Sequence, residues 1–106
     1  MFARSVSIRL KPSSAVAFTK QIASDTIPLL RKQPGFEGEL TFLASAGADA
    51  VAITFWKDKE SADAYARNSY PDVLNALSKF VEGTPKVQTY EVVNSTLHKI
   101  PATAAA

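Results

Sequence analysis

Between Phe2 and Asn94 the hydrophobic period of the sequence switches from two residues to three or four and back, twice, and this alternation limits the fold more than any other feature. Phe2, Val6, Ile8 and Leu10 share one parity while Ala3, Ser5, Ser7 and Arg9 share the other, the pattern of a half-buried strand that Lys11-Pro12 ends. Ala15, Phe18, Ile22, Thr26, Leu29 and Leu30 then recur at spacings of three and four. They predict a helix of about five turns, capped by Ser13 or Ser14. Pro28 lacks an N–H and crowds the carbonyl four residues earlier, so a kink or restart is expected near Ser24 and Asp25. Pro34-Gly35 stops the helix, with Gly35 suited to the left-handed conformation that follows one.

Two further strands, Phe36 to Ala44 and Ala50 to Trp56, flank the turn segment Ser45 to Asp49 and form an antiparallel hairpin. A helix capped by Asp58 carries Ala62, Ala64, Tyr65 and Ala66 and breaks at Tyr70-Pro71-Asp72. Val73, Leu74, Leu77, Phe80 and Val81 share one side of a short helix after it, and the last strand runs from Lys86 to Asn94. The order is that of an α+β fold, a ferredoxin-like βαββαβ sandwich with an antiparallel sheet, over residues 1–95. Residues 96–106 hold nothing large to bury and are expected to form a mobile tail, with His98 solvated.

One helical layer covers one sheet face. On the assumed parity the other face carries Thr41, Leu43, Thr54 and Trp56 beside Ser5, Ser7, Arg9, Gln88, Tyr90 and Val92. That is too much apolar surface for solvent, so the sheet is expected to meet a second copy of itself in a homodimer.

Composition narrows the chemistry. A chain of 106 residues buries roughly two thirds of its unfolded surface, enough for one core. With no Cys and only one His, it has no disulfide framework, thiolate metal site, cysteine nucleophile or multi-His metal site. The net charge is +2 and the basic residues are scattered, so nucleic acid is not an expected partner. The start of the chain lacks the order of a signal peptide and no apolar run approaches about 18 residues, which predicts a cytoplasmic protein without a membrane partner.

Two patches bear a family resemblance. Pro28-Leu29-Leu30-Arg31-Lys32-Gln33-Pro34-Gly35-Phe36 resembles the helix end that runs through Pro-Gly-aromatic into the second strand of the antibiotic biosynthesis monooxygenase domain, a dimeric α+β barrel. Phe55-Trp56-Lys57-Asp58-Lys59-Glu60-Ser61-Ala62-Asp63-Ala64-Tyr65 resembles that family's strand-end Trp and acidic helix start. Members that oxidise polyphenols use no metal, flavin or haem; the substrate's own ring reduces oxygen. The resemblance therefore implies a cofactor-independent monooxygenase-like homodimer acting on an aromatic or quinol-type molecule. The alternative is a non-catalytic module that binds or senses a small aromatic or apolar ligand on the same fold.

In the best-understood branch the Trp works beside an Asn four residues earlier and a Tyr six residues later. Here those positions are Ala52 and Ala62, so only Trp56 carries over and the catalytic residues stay unassigned. The haem-degrading branch binds iron through a His about ten positions after the Trp, where this chain has Tyr65-Ala66-Arg67.

Four residues are candidate substrate contacts. Trp56 is placed to roof a pocket between sheet and helices with its indole N–H as donor, or to serve as a large core or interface residue. Tyr65 and Tyr70 offer phenols to a substrate oxygen, or pack with their hydroxyls in water. Arg9 offers a cation to a carboxylate or phenolate within the open sheet face, or forms a salt bridge or solvated strand end.

Overall fold

The computed structural model describes residues 1–98. Strands β1 (Phe2–Leu10), β2 (Phe36–Leu43), β3 (Asp49–Trp56) and β4 (Val81–Glu91) form one antiparallel sheet in the order β2-β3-β1-β4. Helices α1 (Ala15–Gln21), α2 (Ile27–Arg31), α3 (Lys59–Asn68) and α4 (Tyr70–Leu77) make the second layer of a ferredoxin-like α+β fold. Among the described residues no helix is long and apolar enough to cross a membrane. The tail expected over 96–106 falls outside the described residues from position 99 onward.

Local chemistry explains most element boundaries. The interruption expected at Ser24 and Asp25 is a π-helical turn, Ile22–Thr26, in which the Ile27 N–H donates to the Ile22 carbonyl. Pro28 contributes no N–H, and the wider turn accommodates its ring without ending the helix. Gly35 takes φ +79°, the left-handed value that lets the chain leave α2 for β2. Asp58 caps α3 by accepting from the Ser61 N–H at 2.8 Å, which holds its carboxyl below the usual range. Pro71 lies in the first turn of α4, where a missing N–H costs nothing.

Three sequence expectations are corrected. First, β4 begins at Val81 instead of Lys86, and a 3₁₀ turn at Ser78–Phe80 separates it from α4. Val81 pairs with Leu10, and the register between β1 and β4 shifts between Ser7 and Arg9. Gly83, at φ +70°, and Pro85 lie in that bulge; read locally they suggest a loop, while the ladder continues past them.

Second, the faces of the hairpin are reversed. The pairs Phe2 with Trp56, Arg4 with Thr54, Val6 with Ala52 and Ile8 with Ala50 place the even residues of β3 under the helices. The same register puts Thr41 and Leu43 on that inner face and leaves Leu40, Phe42, Val51, Ile53 and Phe55 on the uncovered one. Packing gives the reason: Phe18 and Ile22 descend from the helices and share one core with the small residue Ala50.

Third, His98 is half-buried, not solvated. Ser95 Oγ accepts from the N–H groups of Leu97 and His98, and the turn lays the imidazole on Phe55 at 4.7 Å between ring centroids.

Candidate functional site

One row of the inner sheet face is polar on all four strands. Register aligns Thr89 of β4, Arg4 of β1, Thr54 of β3 and Glu39 of β2 across all four strands. On one side of this row lies the core of Val6, Ile8, Leu10, Phe18, Ile22 and their neighbours, and on the other a smaller core of Phe2, Leu30, Trp56, Ala62 and Tyr65. A cleft opens over the row, floored by Arg4, Thr54, Glu39 and Ala52 and walled by residues of the π turn, α3 and α4, including Tyr65 and Tyr70. Its cavity volume is about 40 Å3. That space has room for a few waters.

Aromatic packing sets the orientation of the polar groups. Trp56 is wholly buried; Phe36 meets it edge-on at 5.7 Å, and Tyr65 stacks on it at 4.9 Å. The Trp56 indole N–H donates to Thr54 Oγ1 at 2.8 Å, and the Thr54 hydroxyl points on toward the Arg4 carbonyl at 3.5 Å. Tyr70 stands 6.3 Å from Tyr65, and the Arg4 guanidinium lies 3.9 Å from the centre of the Tyr70 ring. Each contact restricts the next, so Tyr65, Tyr70 and Arg4 are held on the cleft by a continuous stack.

Burial then tunes two acids. It pushes the Tyr65 phenol up to about 12, which extends the range over which the hydroxyl stays protonated well into alkaline pH. Burial also raises the Glu39 carboxyl above its ordinary value, against the opposing effect of the hydrogen bond it accepts from Thr41 at 2.5 Å. A carboxylate with a raised pKa is a better proton acceptor than an ordinary surface one.

The candidate residues divide. Tyr65 and Tyr70 both line the cleft. Trp56 does not; it lies behind the lining, its N–H used by Thr54, because its row at the end of the sheet is closed over by Leu30 and Tyr65. Arg9 is on the opposite sheet face near the far end of β1, largely exposed, with Nε 3.6 Å from an Asp49 carboxylate oxygen. That places it among solvated strand-end residues and apart from the cleft. Arg4 and Glu39 are the polar groups that sequence reasoning passed over. The signal for Arg4 was a charge on the apolar parity of the first strand, between Phe2 and Val6. Glu39 gave none, since its inward parity follows only from the hairpin register.

By sequence the chain matches no protein-family model and no curated protein. By structure it has many similar folds. A monooxygenase from the gene ActVA-Orf6 of Streptomyces coelicolor, solved with the ligand Nanaomycin D, superposes with a TM-score of 0.75 at 17% identity over 92% of each chain. SnoaB of Streptomyces nogalater, a cofactor-independent oxygenase, gives 0.73 at 17% identity over 92% of this chain and 97% of its own. A Bordetella bronchiseptica protein provisionally assigned as an antibiotic biosynthesis monooxygenase gives 0.74 at 14% identity over 88% and 97%. The chain therefore has the fold of the antibiotic biosynthesis monooxygenases.

Proposed function

We propose that the protein is a cofactor-independent monooxygenase-like enzyme that works as a homodimer on an aromatic or quinol-type small molecule. The observation that carries this reading is the cleft itself: an apolar slot in which a perturbed carboxyl, two phenols and a guanidinium converge on one polar row. An electron-rich ring supplies the electrons in such a reaction and molecular oxygen takes them. One oxygen atom enters the ring and the other leaves as water. In this reading Glu39, on the cleft floor, accepts the proton lost from the ring or its hydroxyl, and the Tyr65 and Tyr70 hydroxyls donate to the oxyanion that develops. The two neighbours named as a monooxygenase and a cofactor-independent oxygenase support the chemistry by analogy of fold.

Oxygen uptake with a panel of quinols and anthrones tests the proposal. Uptake that falls at least about tenfold in Glu39→Gln is the expected result, consistent with the usual contribution of a general base. No uptake with any of them refutes it. The second reading, binding without turnover, is favoured by Ala52, which puts a methyl group on the cleft floor where the best-understood relatives carry an amide. Saturable quenching of Trp56 fluorescence by the same compounds without oxygen uptake would establish that reading.

The dimer rests on the uncovered sheet face. Leu40 and Phe42 on the edge strand are 37% and 50% exposed, and Tyr90 on the opposite edge is 51% exposed, with Ile53 and Phe55 between them. A second copy laid on this face buries the apolar surface that one helical layer leaves open.

A further inference from the structure

Arg4 is 6% exposed, yet among the described residues its guanidinium has no hydrogen-bond partner and no carboxylate within 4 Å. Its guanidinium lies against the face of Tyr70 at 3.9 Å and 5.8 Å from the centre of the Tyr65 ring. Buried charges are ordinarily paired, because an unpaired one forfeits its hydration without compensation. Among the described residues no fully enclosed side-chain nitrogen or oxygen lacks a partner, so the unpaired N–H groups of Arg4 keep access to open space, and the cleft is the cavity that Arg4 lines.

The one acid on the same floor does not neutralise it. Glu39 stands on the strand beyond β3, with Thr54 between the two, so their backbones are about 9–10 Å apart at ordinary strand spacing. The Glu39 carboxyl is engaged by Thr41. Between Arg4 and the apolar wall of the π turn and α4 there is thus a slot with a cation at its base and hydrocarbon around it.

We infer that Arg4 is a substrate-binding residue that receives a carboxylate carried on the end of a flat apolar ligand. A guanidinium presents its donors as a planar fork that matches a carboxylate with two parallel bonds. Tyr70 packs against the guanidinium at 3.9 Å and restricts its movement. The inference deepens the enzymatic reading of this cleft and rests on it: the aromatic or quinol-type substrate carries a carboxylate on its apolar frame.

The test compares two probes of one shape, 2-naphthoate and 2-naphthalenemethanol, by calorimetric titration of the full chain at pH 7. The wild-type protein is expected to bind the naphthoate at least about tenfold more tightly, the scale of one charge-assisted hydrogen bond. Arg4→Met, which keeps an apolar stem of similar length, is expected to bind the two alike. Equal affinity of the wild-type protein for both probes overturns the carboxylate subsite and leaves the cleft as a ligand site. A preference for naphthoate that survives in Arg4→Met also overturns it. Binding of neither probe at millimolar concentration overturns the subsite and the small-molecule reading together. The wild-type comparison stands without any variant, so a failure of Arg4→Met to fold does not remove the test.

Discussion

Thr54→Val isolates the bond that ties the aromatic stack to the floor of the cleft. Valine has the shape of threonine, so the substitution removes a hydroxyl and leaves packing intact. The Trp56 indole N–H then loses the acceptor it has at 2.8 Å among the described residues, inside a side chain that is 0% exposed. A buried donor left unpaired costs about 1–3 kcal/mol. The other bond of the Thr54 hydroxyl, to the Arg4 carbonyl at 3.5 Å, is at the limit of hydrogen bonding and adds little to that figure. Urea unfolding followed by circular dichroism at fixed protein concentration measures the loss, and each kcal/mol also lowers Tm by about 4–8 °C in a domain of this size. Trp56→Phe removes the donor itself, so in a chain that already carries Thr54→Val it should cost about 1 kcal/mol less than in the wild type. The reasoning fails if Thr54→Val lies within about 0.5 kcal/mol of wild type, or if the two substitutions simply add.

Three further outcomes are expected. Gly35→Ala should destabilise by more than about 2 kcal/mol in the same assay, because a left-handed φ costs about 1–2 kcal/mol and a Cβ there would lie 2.6 Å from Ser61 Cβ; a neutral result would refute the assigned backbone. Tyr65 is protonated in the folded state up to about pH 12, whereas an unfolded tyrosine ionises near its ordinary value of 10.0, so stability should fall as pH rises from 10 toward 12. Tyr65→Phe should flatten that fall, and an unchanged slope would contradict the assignment. Phe42→Glu, on a side chain that is 50% exposed within one chain, should convert an assembly of about twice 11.4 kDa into a folded monomer by light scattering; a wild-type protein that already runs as one chain refutes the dimer.

Much of the fold was legible because its signals are local. The kink at Ser24 and Asp25 follows from Pro28, the exit from α2 from Gly35, and the start of α3 from Asp58. The site was less legible. Tyr65 and Tyr70 reach the cleft from adjacent helices, as an aromatic beside a helix break can. Trp56, the most conspicuous side chain in the sequence, supports the lining from behind, while Arg4, easily passed over in a strand of small and apolar residues, lies at its floor.

What the sequence by itself determined is the order and type of the elements and the shortage of helix to cover both sheet faces, since periodicity, proline and glycine act within a few residues of themselves. Only the tertiary structure decided which face of the hairpin turns inward. Leu40, Phe42, Val51, Ile53 and Phe55 are the more apolar set, yet the large helix residues Phe18 and Ile22 share the inner-face core with the small residue Ala50. The same pairing brought Arg4, Thr54 and Glu39, far apart along the chain, into one row beneath the cleft, because strand register is settled by long-range packing and not by any residue's immediate neighbours.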